Sequence, residues 1–325
     1  MKFTLFERPT EDRPMMALGL ILAGVMVLAL QDSIVKVVSP NTSFWQFQLV
    51  RSLFNLTFIV IIAKATVGLS LLKPQNPRAV LARGLFLAIC MMFFFGAAPQ
   101  ITVTQMAAGL YTYPLFVTMM AGPVLGERIG PWRLGALALG MVGSMTVLNP
   151  FSDTFKWVQV MPILAGFFYA CNIIILRKYC RNESPLCLTF FVAIIFILFG
   201  SIGGLTIALL PISDVMRAEV PFLLISWPAL TLLVLGFCIF ASLLNLMGNI
   251  FLSRAYQTAD SSWLAPLDFS YLLFVTLWGK ILFGTMPTPT AALGMVMIAA
   301  AGIITAMREG YQRRKTGAAV PTPQK

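Results

Sequence analysis

The sequence predicts an all-α polytopic membrane protein of ten transmembrane helices, arranged as two inverted five-helix repeats. Three observations predict it. Of the 325 residues, 58% are hydrophobic and 11% charged, with a mean hydropathy of +0.86, whereas a soluble domain carries about 25% charged residues. A spanning helix needs roughly 20 mostly apolar residues, and such runs lie near 15–38, 44–63, 81–99, 104–124, 134–149, 158–176, 186–210, 228–251, 261–283 and 290–307. Short motifs also recur, in the same order, in the two halves of the chain.

The first 14 residues, "MKFTLFERPTEDRP", form a charged tail without the apolar region of a signal peptide. The run that follows is too long for a signal peptide and ends without a small-residue cleavage site, so no cleavage is expected. Helix one carries Asp32 and Lys36, and helix two carries Gln48, Arg51 and Asn55. Helix three holds "LFLAICMMFFFG", a packing or lipid-facing surface of the kind Met and Phe supply. Helices four and eight contain Pro114 and Pro228, which membrane helices tolerate. Gly135, Gly140 and Gly143 in helix five, and Gly200, Gly203 and Gly204 in helix seven, offer small surfaces for close packing. Residues 308–325 form a second charged tail.

Orientation follows from the basic residues. With the N-terminus in the cytoplasm, 18 of the 23 Lys and Arg residues fall on the inner side, in the two tails and at the inner ends of the helices. The outer loops keep only Lys156 and Arg217, with Lys280 near the outer end of helix nine. The positive-inside rule then puts both termini in the cytoplasm and the protein in the inner (plasma) membrane. The formal charge of +11 is thereby topological and calls for no nucleic-acid partner.

The repeat reads as follows. "ILAG" occurs at 21–24 and 163–166, early in the first helix of each half. A Gln-x-Ala pattern ending in Pro occurs at Gln105–Pro114 and Gln257–Pro266, entering each fourth helix. "LGALALGMVG" at 134–143 is echoed by "LGMVMIAAAG" at 293–302 in each fifth. This divides the chain into a first repeat at 15–149 and a second at 158–307. Five crossings are an odd number, so the second copy inserts upside down. Inverted repeats are the architecture of secondary transporters, whose substrate site lies near the midplane between halves.

The segment "QMAAGLYTYPLFVTMMAGPVLGERIGPWRLGALALGMVGSMTVLNP" (105–150) resembles the fourth and fifth helices of an EamA domain of the drug/metabolite transporter superfamily. Its points of match are Pro114, the "LGER" turn at 125–128 and the Gly135/Gly140/Gly143 spacing. "QDSIVK", "QLVRSLF" and "RGLFLA" are similar to the first three helices of bacterial members. "RAYQTADSSWLAPLDFSYLLFVTLWGKILFGTMPTP" (254–289) resembles the second-half signature of the branch that includes S-adenosylmethionine uptake carriers. The resemblance implies carriage of a small organic metabolite by alternating access, with importers and exporters both in the family. One position departs from it: the second-half turn usually has Glu after Phe-Gly, and here Thr285 follows Phe283-Gly284.

Polar groups inside the apolar runs are the candidate substrate-binding residues, because an ionisable group at the bilayer centre is costly. Asp32 and Lys36 share a helix face at i, i+4, and Arg51 on helix two falls at about the same depth, near the outer side. The expected result is a charge cluster that orients a zwitterionic or anionic substrate, the alternative being a structural ion pair with Lys36 snorkelling outward. Asn55 continues the helix-two stripe, and Tyr169 with Asn172 share a face of helix six. Asn245 and Asn249 stripe helix eight with Ser242, while Asp268 and Tyr271 follow Pro266 on helix nine. Trp263 and Tyr113 suit stacking on a ring, as they suit interfacial belts. A proton gradient acting through Asp32 or Asp268 is the simplest coupling; substrate exchange needs no titrating residue.

Absences narrow the chemistry. The chain has no His, and its five Cys are scattered without a C-x-x-C pair, so no metal or other cofactor is expected. No Walker A motif is present. A membrane enzyme lacks a nucleophile motif, and a channel or lipid scramblase fits the duplication less well than a carrier does. The expected partners are a small-molecule substrate, amino-acid-like or nucleoside-like and including S-adenosylmethionine, and the lipid bilayer, with the protein a monomer or homodimer.

Overall fold

The computed structural model describes residues 14–65, 68–125, 131–149, 155–180, 182–225, 227–258 and 264–315, and every regular element among them is helical. The helices are α1 (Pro14–Val38), α2 (Phe44–Ala65), α3 (Pro77–Gly96), α4 (Val103–Leu110), α5 (Tyr113–Leu125), α6 (Pro131–Leu148) and α7 (Met161–Tyr179). They continue as α8 (Pro185–Leu209), the short α9 (Asp214–Glu219) and α10 (Pro221–Leu224), α11 (Leu232–Thr258), α12 (Ser270–Phe283) and α13 (Pro289–Lys315). Among the described residues, 7 helical spans are long and apolar enough to cross a membrane, and the apolar stretches Leu134–Leu148 and Pro289–Ile304 are shorter. Large apolar side chains such as Ile61, Leu205, Leu273 and Val296 point outward, as a bilayer requires. The chain is a multi-pass membrane protein.

Local chemistry sets the element ends. Asn76 caps α3 by accepting from the Ala79 N–H at 3.3 Å, with Pro77 at the first helical position. Thr102 and Gln105 form a reciprocal capping box at α4. Helix α12 stops at Gly284, whose φ of 65° is left-handed. The next residue, Thr285, donates its hydroxyl to the Gly279 carbonyl at 3.2 Å. The same carbonyl also accepts from the Gly284 and Thr285 N–H groups, so the hydroxyl adds one more bond at this helix end.

Two of the apolar runs are not continuous helices. The run at 104–124 divides into α4 and α5, with the Thr112 hydroxyl turned back on the Gly109 carbonyl at 2.6 Å. Pro114 has no N–H to offer the carbonyl four residues earlier, and it disfavours helical geometry at the residue before it. The run at 261–283 enters α12 through a 3₁₀ turn, Ala265–Phe269, that contains Pro266. Pro114 therefore interrupts its run beyond the tolerance expected from sequence, Pro266 sits in an interruption as its missing N–H leads one to expect, and Pro123 is accommodated inside α5.

The longest contacts pair α1 with α11, α3 with α7, α2 with α8, and α6 with α13. Each joins a helix of the first half to one of the second. Helices α6 and α13 approach so closely that a Cβ on Gly143 would lie 2.8 Å from the Gly294 carbonyl. The α1–α11 contact has the same character at Gly24, where a Cβ would meet the Gly248 carbonyl at 3.1 Å. These glycines let van der Waals packing between backbones do what hydrophobic burial cannot do in lipid.

Both ends of the bundle are tied between halves. At the end where α2 begins, Trp45 Nε1 donates to the Leu223 carbonyl at 2.7 Å and Gln46 Nε2 to the Pro228 carbonyl at 2.7 Å. Gln100 Nε2 donates to the Glu219 carbonyl. The segment carrying α9 and α10 is drawn down there, with Phe222 buried edge-on to Phe44, centroids 6.1 Å apart. At the opposite end, the Glu183 carboxylate between α7 and α8 accepts from the N–H groups of Gln75 (3.1 Å) and Asn76 (2.7 Å). Lys178 Nζ donates to the Val124 carbonyl there at 2.8 Å.

Candidate functional site

Three polar groupings lie between these ends. The first centres on Asp32 of α1. Its carboxylate accepts from the Tyr271 hydroxyl at 2.5 Å and from Gln31 Nε2 at 2.7 Å. The Gln31 carbonyl oxygen in turn accepts from Asn245 Nδ2 at 2.9 Å. This runs from α12 through α1 to α11, and Asn249 Nδ2 closes back on the Asn245 carbonyl at 2.7 Å. Asn249 itself is exposed.

The second grouping is aromatic. Tyr111 and Tyr271 stack with centroids 5.1 Å apart and planes 13° from parallel. Tyr113 meets Tyr169 edge-on at 4.9 Å and Tyr111 at 5.9 Å, while Tyr111 also lies edge-on to Phe269 at 5.4 Å. The Tyr111 hydroxyl donates to the backbone carbonyl of Asp268 at 3.1 Å. Two of the tyrosines come from the interrupted segment of the first half and two from the second half. Tyr111, Tyr113 and Tyr169 are only partly buried, so part of each ring stays open. Both helix interruptions meet here.

The third grouping is on α2. The Ser242 hydroxyl of α11 sits 3.0 Å from the Arg51 carbonyl and 2.8 Å from Asn55 Oδ1. The Arg51 guanidinium lies 5.8 Å from the Phe47 ring centroid and 5.9 Å from that of Phe196, and is 4% exposed. Its Nε has no hydrogen-bond partner, nor do Gln48 Nε2, Gln48 Oε1 and Ser52 Oγ. Asn172 on α7 is likewise buried, with an unpartnered Oδ1.

The structure thus brings Asp32, Asn245 and Tyr271 into one chain of bonds, Tyr113 and Tyr169 into the aromatic group, and Arg51 with Asn55 into the third. Among the described residues no ion pair joins Asp32 to Lys36 or to Arg51. Lys36 instead donates to the carbonyls of Ala98 and Ile101 and lies 5.6 Å from the Phe283 ring centroid. Past the end of α3, carbonyls lack helical partners, and an ammonium finds acceptors there without competing with Tyr271 for the carboxylate. Asp268 stands in the 3₁₀ turn, where its backbone carbonyl accepts from the Tyr111 hydroxyl. Trp263 lies outside the described residues.

Sequence reasoning missed Gln31 and Tyr111. Gln31 follows directly on an apolar run and was overshadowed by its charged neighbour. The signal for Tyr111 was the "YTYP" spacing, two tyrosines bracketing the turn that Pro114 enforces.

Residues 15–149 match the EamA-like transporter family. A riboflavin transporter of Rhizobium johnstonii is 28% identical, covering 92% of this chain and 93% of that protein. A pseudopaline exporter of Pseudomonas aeruginosa is 23% identical over 89% of this chain and 97% of that one. An S-adenosylmethionine uptake transporter of Rickettsia bellii is 24% identical over 80% and 81% of the two chains.

Proposed function

The chain is an EamA-domain transporter of the drug/metabolite transporter superfamily, and from that premise we propose that it carries a flat, ring-bearing metabolite across the inner membrane by alternating access. The observation that carries this reading is the tyrosine group joined to Asp32. Four rings from both halves gather where both helices are interrupted, and one of them hydrogen-bonds a carboxylate on α1. Aromatic faces hold a planar substrate through stacking, while a few placed polar groups fix its orientation. Riboflavin is the first substrate to test and S-adenosylmethionine the second, since relatives of the chain carry those names.

Alternating access in this reading rests on a ten-helix inverted repeat, with both termini in the cytoplasm. The helix pairings support the repeat. Counting spans within halves, first pairs with third, third with first, second with second and fifth with fifth. A two-fold axis relating the halves leaves such a pattern unchanged. Orientation is tested by cysteine labelling on a background free of the native cysteines. Lys156→Cys should react with an impermeant reagent in intact cells and Asn182→Cys should not; the reverse pattern refutes the orientation.

Function is tested in proteoliposomes with purified protein. Labelled riboflavin and S-adenosylmethionine should show saturable uptake and counterflow, and the direction of imposed gradients identifies import or export. Asp32→Asn keeps an acceptor for Tyr271 but loses the charge, so transport should fall at least about tenfold while thermal stability changes little. Unchanged transport in Asp32→Asn removes the carboxylate from the site. A proton gradient that drives accumulation in the wild type but not in Asp32→Asn or Asp268→Asn assigns coupling to that residue. Exchange without gradient-driven accumulation makes the protein an exchanger.

A further inference from the structure

Helix α2 carries polar groups that the tyrosine site does not use. Gln48, Arg51 and Ser52 stand at i, i+3 and i+4 on one face, exposed by 0%, 4% and 0%. Four of their polar atoms, Gln48 Nε2 and Oε1, Arg51 Nε and Ser52 Oγ, have no hydrogen-bond partner. Buried polar side-chain atoms in proteins are nearly always bonded, and each exception calls for a reason. Helix contact does not supply one here, because Ser242 already makes the polar link from α11 through the Arg51 carbonyl and Asn55.

We propose that Gln48, Arg51 and Ser52 form a subsite for a hydroxyl-bearing tail of the transported molecule, a ribose- or ribityl-like polyol; this rests on the transporter reading above. The atoms themselves decide the chemistry. Gln48 offers a free donor and a free acceptor, Ser52 serves as either, and Arg51 Nε is a donor. A carboxylate or phosphate satisfies the donors and leaves the Gln48 carbonyl oxygen facing another acceptor. A row of hydroxyls satisfies all four atoms, since each hydroxyl both gives and takes a hydrogen bond. Phe47 and Phe196 flank the guanidinium and hold it in place.

The subsite is continuous with the tyrosine group. From Tyr271 the bonds pass to Asp32, Gln31 and Asn245, and Ser242, one turn away on α11, touches α2 at Arg51 and Asn55. In this proposal the ring lies at the tyrosines and the polyol reaches α2.

The test pairs two probes that share a ring and differ in the tail: riboflavin, and lumichrome, the same ring system without the ribityl chain. Binding to the purified full chain is followed by thermal shift and uptake by proteoliposomes. Gln48→Met and Ser52→Ala should each weaken riboflavin at least about tenfold and leave lumichrome binding within about twofold. In the absence of ligand, Gln48→Met should melt higher than the wild type, because an apolar group of similar shape replaces unsatisfied buried atoms. If Gln48→Met melts lower, the amide is structural and the subsite is refuted. Equal loss for both probes, or no loss for riboflavin, refutes it too. Should the wild type take up neither flavin, the same comparison is made with adenosine and adenine and judged by the same criteria. A wild type that binds no member of either pair overturns the flat-ring reading, and the subsite falls with it.

Discussion

The two ends of the bundle are closed by different chemistry. Where α2 begins, the tie is broad: indole and amide groups donate to backbone carbonyls of the 219–228 segment, and Phe222 plugs the core beneath them. At the far end of α2 the tie is mostly polar: the Glu183 carboxylate accepts two backbone N–H groups, Gln75 Nε2 donates to the Asn182 carbonyl, Cys187 Sγ to the Leu72 carbonyl and Lys178 to the Val124 carbonyl, over a small apolar cluster of Ala79, Val80, Cys180 and Leu188. A broad apolar seal opens only when many contacts part together. The Glu183 end is held by separate polar ties and a small cluster without large aromatics, so less apolar surface parts when it opens. In a carrier that exposes its site to alternate faces, this difference makes the Glu183 end the cheaper one to open.

The largest effect is expected from Trp45→Ala. Trp45 lies edge-on to Phe44 at 5.2 Å and 5.5 Å from Phe199, and a Cβ on Gly203 would collide with its ring. Removing a buried indole costs about 3–5 kcal/mol, with the Leu223 carbonyl left unpaired as well. Thermal unfolding in detergent should show a drop larger than for any single change at the Glu183 end. A smaller drop than for Glu183→Ala reverses the comparison.

Glu183→Ala should come next. It strips partners from the Gln75 and Asn76 N–H groups at the start of α3; both residues are exposed, so water takes over in part and each lost bond costs about 0.5–1.5 kcal/mol. The informative readout is access: Asn182→Cys or Gln75→Cys should label faster when Glu183 is absent, with labelling of Lys156→Cys unchanged. Glu183→Gln, which keeps acceptor oxygen without the charge, should lie between wild type and Glu183→Ala. Equal labelling rates in all three mean that Glu183 is no clamp.

This contrast between ends was largely invisible in the sequence, and the reason is physical. Apolar runs reveal helices because length and hydropathy are local, and α1, α2, α3, α7 and α8 fall close to the predicted runs, whereas α11 spans Leu232–Thr258 instead of 228–251 and leaves Pro228 outside the helix. The polar partners are not local. Glu183 finds its N–H groups 107 and 108 positions away. Lys36 has Asp32 one turn before it, yet takes carbonyls 62 and 65 residues distant. Helical spacing brings two charges onto one face, but the fold decides whether a better acceptor stands nearby. Pro114 was legible as a residue and misjudged in effect, whereas Pro266 interrupts its run as expected, and the tyrosines converge at the two interruptions. Glu127, in the "LGER" turn, lies outside the described residues, as does Trp263.

The smallest effect is expected from Lys178→Ala, and it sharpens the comparison because it asks whether the clamp has a second member. Lys178 Nζ reaches the Val124 carbonyl at 2.8 Å across α7 and α5, but the bond is exposed and the ammonium also lies 5.4 Å from the Tyr179 ring centroid. Water replaces an exposed donor readily, and surface substitutions without buried partners shift stability by about 0.5 kcal/mol or less. The melting temperature should therefore stay close to wild type. Labelling of Asn182→Cys should also stay as in wild type, since the Glu183 bonds to Gln75 and Asn76 remain. A rise in labelling comparable to that of Glu183→Ala makes Lys178 a working part of the clamp. In that case two charged ties hold this end rather than one, and the difference between the two ends narrows accordingly.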